Sequence, residues 1–165
     1  MPDLRNAQQP ASGTGTERAA YSYRDDPAVP KFPDDHPIIV FDGYCALCSG
    51  WVSFVVRHDR RAIYRLLPAQ SPIGRALYVH YGLDPQDYET YILLQDGIAW
   101  LKSEATIAMT QGLGFPWSLA GALRIVPRAW RDRIYAWVAR NRFRLVGRRS
   151  TCYRSDPRHD DRFLA

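Results

Sequence analysis

Four consecutive apolar residues, Ile38-Ile39-Val40-Phe41, end at Asp42-Gly43. A strand with one wet face alternates apolar and polar residues. An unbroken apolar, β-branched run instead suits a strand buried on both faces, which obliges the chain to supply a layer on each side. Asp-Gly is turn chemistry and closes the run. This strand excludes a simple helical bundle and points to an α/β layer.

The segments that follow supply the layers. Cys45 to about Asp59 reads as a helix, with Leu47, Trp51, Phe54 or Val55, and His58 at three-to-four spacing. Ile63 to Leu67 is a second expected strand, closed by Pro68. Ser71 to Tyr81 follows as a helix, with Ser71 as N-cap, Pro72 in the first turn and Gly82 as its stop. Thr90–Leu94 and Ile98–Leu101 flank Asp96-Gly97, a strong hairpin signal. Ser103 is expected to cap a helix from Glu104 to about Gln111, ending near Gly112. A strand-helix-strand unit demands parallel pairing, and the hairpin adds two antiparallel strands to the same sheet. The expected core is therefore a mixed four-stranded α/β layer with helices on both faces.

Around this core the expected organisation has four parts. Residues 1–36, rich in Pro, Gly, Ser, Thr, Gln and acids, read as a flexible tail, and 37–114 as the α/β domain. Residues 115–150 read as two helical stretches divided by Pro127 that pack on that domain, and 151–165 as a C-terminal tail. The second helical stretch sets Trp130, Ile134, Trp137 or Val138, and Leu145 on one face, with arginines around the others. No internal repeat is present. At 165 residues the chain can bury a proper core, and three cysteines offer no disulfide scaffold. No run reaches the roughly 18 to 20 apolar residues of a membrane span. The first 20 residues carry no basic segment followed by an apolar one, so a cytoplasmic location is the default expectation.

Charge is unevenly placed. Of 22 basic residues 20 are arginine, and from Phe115 onward 12 arginines face four aspartates. The asymmetry is compatible with an acidic partner, whether nucleic acid or an anionic membrane surface, but solvated arginines on amphipathic helices are the favoured reading. Arg142, Arg144, Arg148 and Arg149 are the candidates for such contacts. No specific nucleic-acid-binding motif is present.

Cys45 and Cys48 admit three readings: a redox dithiol, half of a zinc site, or two small core residues. At the start of a helix, free N–H groups and the helix dipole favour an anion, and a thiol there can fall from about 8.5 to roughly 3.5 to 7.5. Cys48 lies one turn on, close enough for a disulfide and expected to be the more shielded. Cys45 would then attack a substrate disulfide and Cys48 would resolve the mixed disulfide. A structural zinc site needs four ligands. The remaining candidates, Cys152, His36, His58, His80 and His159, form no second pair at metal spacing, so no metal is expected. Cys152 reads as a structural or incidental thiol. Asp42 has two readings, a proton relay to the thiols or a turn acid satisfying backbone N–H groups near Gly43 and Tyr44. Tyr44 and Trp51 could flank the dithiol, with core packing the plainer role for Trp51.

Asp42-Gly43-Tyr44-Cys45-Ala46-Leu47-Cys48 resembles the Asp-x-x-Cys-x-x-Cys signature of the DCC family (DUF393) of predicted thiol-disulfide oxidoreductases. Phe54–Ser71, Ser103–Ala105 and Val126–Arg148 resemble that family's later blocks, so the likeness runs over about 38 to 152. The resemblance implies a thioredoxin-like fold, Cys45 as nucleophile, Cys48 as resolving thiol and Asp42 as the family acid. The reaction expected of this dithiol uses no bound cofactor and takes a protein or low-molecular-weight disulfide substrate with a thiol reductant. Two features depart from thioredoxins: the spacer Ala46-Leu47 holds no proline, and Pro85 lies five residues before Thr90 instead of directly preceding the hairpin. Substrate docking must differ accordingly.

Overall fold

A computed structural model describes residues 18–151, 153 and 157–164. Its sheet has four strands, β1 (Ile38–Phe41), β2 (Arg65–Pro68), β3 (Ile92–Gln95) and β4 (Ile98–Leu101), in the order β2-β1-β3-β4. β1 is parallel to β2, with Ile39 opposite Leu66, and antiparallel to β3, with Ile39 opposite Leu93. β3 and β4 form the antiparallel hairpin. Asp96 and Gly97 both have positive φ, 51° and 75°, as the tight hairpin turn requires.

All four residues of β1 are fully buried. Ile38 and Val40 join one core with Leu67, Leu77, Tyr78, Ile92 and Leu94, under helix α2 (Pro72–His80). Ile39 and Phe41 join the other, with Val52, Val55 and Val56 of α1 (Ala46–His58) and Ala105 and Met109 of α3 (Lys102–Gly112). Adjacent strand residues point to opposite faces, so two side chains of β1 anchor each layer. The result is a thioredoxin-like mixed sheet with α1 and α3 on one face and α2 on the other.

Local chemistry sets the boundaries. Ser71 caps α2, its Oγ accepting the Gly74 N–H at 3.0 Å, and Gly82 leaves the helix at φ 68°. α3 departs from expectation. β4 runs straight into it through Lys102 at φ 54°, so the helix starts earlier and Ser103 lies inside it, not at its cap. The Ser103 hydroxyl is thereby free to donate to Asp132 of α4 (Arg128–Leu145) at 2.5 Å. α1 also buries a face rotated from the expected one: Cys48, Val52, Val55 and Val56 point inward. Trp51, Phe54 and His58 line its flank instead, where Phe54 and His58 pack edge-on against Trp117 with centroids 4.8 and 4.9 Å away. Trp117 opens the 3-10 stretch Trp117–Ile125, which lies along α3.

Both expected tails are packed where they are described. Tyr23 and Val29 are buried in the α2-side core, and the Tyr21 N–H bonds the Gly97 carbonyl at 2.9 Å. Tyr23 donates to Asp34 at 2.5 Å and stacks on Phe32. At the other end the Leu164 N–H bonds Leu66 O at 2.8 Å, Phe163 pairs with Leu66, and buried Arg162 reaches Asp59 at 3.3 Å. This segment covers the open edge of β2, which would otherwise present unpaired backbone groups. Low local hydrophobicity hides such anchoring, because a few aromatic side chains carry it.

Tyr23→Ala is expected to destabilise the protein by about 3 kcal/mol in urea unfolding, the usual cost of emptying a buried aromatic site. A change below about 0.5 kcal/mol would show that residues 18–36 are not part of the cooperative fold.

Candidate active site

β1 delivers Asp42 and the Gly43-Tyr44 turn to the N-terminus of α1, where Cys45 is the N-cap with extended backbone (φ −82°, ψ 120°). Its Sγ accepts the Cys48 N–H at 3.3 Å. The sulfur therefore takes the place an oxygen holds in an ordinary N-cap, against the positive end of the helix. The Cys48 S–H donating to Cys45, aided by the backbone N–H, pushes the Cys45 thiol down to about 7, while burial works the other way. Donation to Cys45, burial and the nearby Cys45 charge all hold Cys48 far above the ordinary thiol range. The acidic and the protonated sulfur are thus distinguished by geometry.

Two charges act on the pair in opposite senses. Asp42, buried, raises both thiols. Its Oδ1 accepts the Tyr44 N–H at 3.0 Å and the Gln70 Nε2–H at 2.6 Å, while the Gln70 Oε1 accepts the Gly43 N–H at 3.1 Å. Asp42 therefore serves the turn and is electrostatically coupled to the sulfurs at the same time. Arg142 of α4 lowers the Cys45 thiol. It is buried, donates to Asp87 at 2.7 Å and to Ala139 O at 2.8 Å, and leaves its Nε without a partner. Its inward position corrects its assignment to the surface arginines; Arg144, Arg148 and Arg149 are exposed.

Tyr91 and Tyr135 complete the surroundings. The Tyr91 hydroxyl lies against Cys48 without a hydrogen-bond partner of full geometry, and Tyr135 Oη accepts the Tyr91 N–H at 3.2 Å. Gln70, Tyr91, Tyr135 and Arg142 all escaped sequence reasoning. The available signals were the polar set Arg131, Tyr135, Arg142 at helical spacing on α4, and the residues just before β3. Tyr44 is exposed beside the dithiol, whereas Trp51 stacks on Phe54 at 5.4 Å, its packing role.

The C-terminal segment closes over this turn. Arg148 pairs with Cys45, the Arg149 N–H donates to Tyr44 O at 2.8 Å, and the Tyr153 N–H donates to Gly43 O at 2.8 Å. Cys45 consequently has 0% of its surface exposed and Cys48 6%. The expected order of shielding is absent, because the strap covers the Cys45 side. The backbone contacts of Arg148, Arg149 and Tyr153 lie directly on the turn that carries Cys45. Cys152 lies outside the described residues.

Among the described residues no group of three or more His, Cys, Asp or Glu converges on a common point. His36 pairs with Asp35, His58 bonds Phe54 O, and buried His80 bridges Asp26 and Ser22. None of these three is drawn into a cluster with the two thiols.

The model of the DCC1-like thiol-disulfide oxidoreductases matches residues 39–148. That span runs from the central strand to the first residue of the strap. The chain belongs to this family. It is 32% identical over 127 residues to the uncharacterized protein YuxK of Bacillus subtilis (strain 168), covering 77% of this chain and 93% of that protein. It is also 37% identical over 120 residues to the DCC family protein At1g52590, chloroplastic, of Arabidopsis thaliana, covering 72% and 70%. No solved structure matches the chain at a significant level.

Alkylation of reduced protein is expected to follow a titration with its midpoint near pH 7 at Cys45, rising as the thiolate forms. Cys48→Ala removes the donated proton and should move that midpoint up toward the ordinary value of about 8.5. Arg149→Pro deletes the N–H that holds the strap to Tyr44 and should speed Cys45 alkylation severalfold at unchanged midpoint. An unchanged rate would exclude the strap as the barrier.

Proposed function

We propose that the protein is a thiol-disulfide oxidoreductase in which Cys45 is the nucleophile, Cys48 the resolving thiol and Asp42 the proton acceptor. The convergence of the Cys48 N–H and S–H on the Cys45 sulfur carries this reading, because it makes one thiol acidic at the cost of the other. Family membership supports the same reaction class.

The Cys45 thiolate attacks one sulfur of a substrate disulfide, forming a Cys45–substrate disulfide and releasing the other substrate sulfur as a thiolate, which takes a proton from water. Charge on Cys45 is then gone, so the Cys48 S–H loses its acceptor. Asp42 accepts that proton, and the Cys48 thiolate attacks the Cys45 sulfur. The second substrate thiolate departs and is protonated, leaving a Cys45–Cys48 disulfide. The substrate disulfide has gained two electrons and the protein has lost two, so a thiol reductant must restore the dithiol. A protein or low-molecular-weight disulfide fits this chemistry. A compartment rich in reduced thiols, the cytosol by default, suits the recycling step; no helix among the described residues is long and apolar enough to cross a membrane.

Cys48→Ser is expected to accumulate a mixed disulfide on Cys45 when the protein is mixed with oxidised glutathione or an insulin disulfide, read by intact mass. Asp42→Asn separates the two roles of the carboxylate. Removing its charge lets Cys45 ionise at lower pH, so attack at pH 6 should quicken, whereas loss of the proton acceptor should slow release of the mixed disulfide by roughly tenfold or more. Resolution at the wild-type rate would confine Asp42 to the turn.

A further inference from the structure

The helix that carries Arg142 inward turns an apolar stripe outward. Trp130, Ile134 and Trp137 expose 64%, 62% and 55% of their surfaces, and Leu145 is exposed in line with them. At 100° per residue these four lie within one narrow arc of α4, while Tyr135, Ala139 and Arg142 occupy the opposite arc against the domain. Arg131 and Asp132 fasten that inner side to Glu104 and Ser103 at 2.7 and 2.5 Å. Ile125 and Val126, both exposed, lead directly into the stripe.

The charges complete the pattern. Arg133, Arg140 and Arg144 are exposed along one flank of the stripe, and Arg148 and Arg149 follow at its end. Residues 116–150 contain nine arginines and a single acid, Asp132, which is engaged by Ser103 and Arg128. Arg124, Arg131 and Arg142 meet Glu104 or Asp87 and Arg128 meets Asp132, so the basic character of the flank rests on the exposed Arg133, Arg140 and Arg144, and the apolar part combines tryptophan with bulky aliphatics. Residues 1–17 bring only Met1 and Leu4 as large apolar side chains, too little to cover it. Phosphate alone would satisfy the arginines and leave Ile134, Leu145 and Ile125 in water. An anionic bilayer surface supplies both halves: headgroup phosphates for the arginines, and an interfacial zone favourable to Trp beside acyl chains for the aliphatics. The helix cannot span the membrane, so it would lie in the plane.

We propose that α4 is an interfacial membrane-docking helix that binds anionic lipid surfaces through Trp130, Ile134, Trp137 and Leu145 with Arg133, Arg140 and Arg144 alongside. The full chain should co-sediment with vesicles of phosphatidylcholine containing 30% phosphatidylglycerol at least about tenfold better than with phosphatidylcholine alone. Brominated acyl chains should quench its tryptophan fluorescence. Trp130→Ser/Trp137→Ser should lose at least about tenfold in binding, as should Arg133→Glu/Arg140→Glu/Arg144→Glu. Both variants should keep the wild-type melting profile and Cys45 alkylation rate, since none of these side chains touches the dithiol. Equal partitioning to both vesicle types, or none, would overturn the proposal. So would a concentration-dependent dimer abolished by Trp130→Ser/Trp137→Ser without vesicle binding, which would assign the face to a second copy of the chain.

Discussion

Burial of β1 on both faces is the constraint from which the rest of the molecule follows. Its backbone is bonded to β2 on one edge and β3 on the other, and its four side chains divide equally between the two cores. Neither layer is complete without it, since each core takes two fully buried side chains from this strand. The strand ends where its carboxyl edge meets the first turn of α1. A buried strand feeding a helix N-terminus fixes backbone donors in space, and fixed donors stabilise a thiolate that a flexible loop could not. The reactive geometry is thus a by-product of how the sheet is covered.

The dithiol itself behaves as one titrating unit. Cys45 becomes acidic because Cys48 gives it a hydrogen bond, and Cys48 becomes reluctant to ionise for the same reason. Asp42 and Arg142 tune the pair from opposite sides, one resisting and the other favouring negative charge. A thiolate stabilised too strongly is a poor nucleophile, so a balance of opposing charges near neutrality suits exchange better than a single strong activator. Burial under the strap sharpens these effects, because charges interact more strongly where water is excluded.

Much of this was legible in the residues. The apolar run at Ile38, the Ser71-Pro72 cap and the Asp96-Gly97 hairpin each carry their own local instruction, and the sheet order follows from them. The site was legible only where it was local: Asp42, Cys45 and Cys48 follow one another at three-residue spacing. Arg142 and Tyr135 were not, because α4 has two plausible inner faces and hydrophobicity chose the wrong one. Trp130, Ile134 and Trp137 look like core residues by spacing, yet the ion pair to Glu104 and the bond to Ser103 turn Arg131 and Asp132 inward instead. Those partners lie 27 to 29 residues earlier in the chain, so no window of α4 alone contains the deciding fact. Tyr23 and Phe163 were missed for a related reason, each being an isolated aromatic in a polar stretch.

The consequence is a division of labour along the chain. The α/β layer carries both thiols, with Cys45 at the N-terminus of α1 and Cys48 one turn on. The segments after Phe115 surround them: Arg142 favours negative charge at Cys45, the Arg148–Tyr153 strap lies over its turn, and α4 turns an apolar stripe outward. Tyr153, Phe163 and Leu164 reach into the existing cores, while the Trp117–Ile125 stretch and α4 pack on the layer through polar contacts and the aromatic contacts of Trp117. Contacts of that kind open at lower cost than a buried sheet. Exposure of Cys45 would mean giving up the hydrogen bonds at Gly43 and Tyr44, the Arg148–Cys45 pairing and the Tyr153 contacts with Ser53 and Phe41, whereas β1 and the first turn of α1 are held by the two cores and can stay in place.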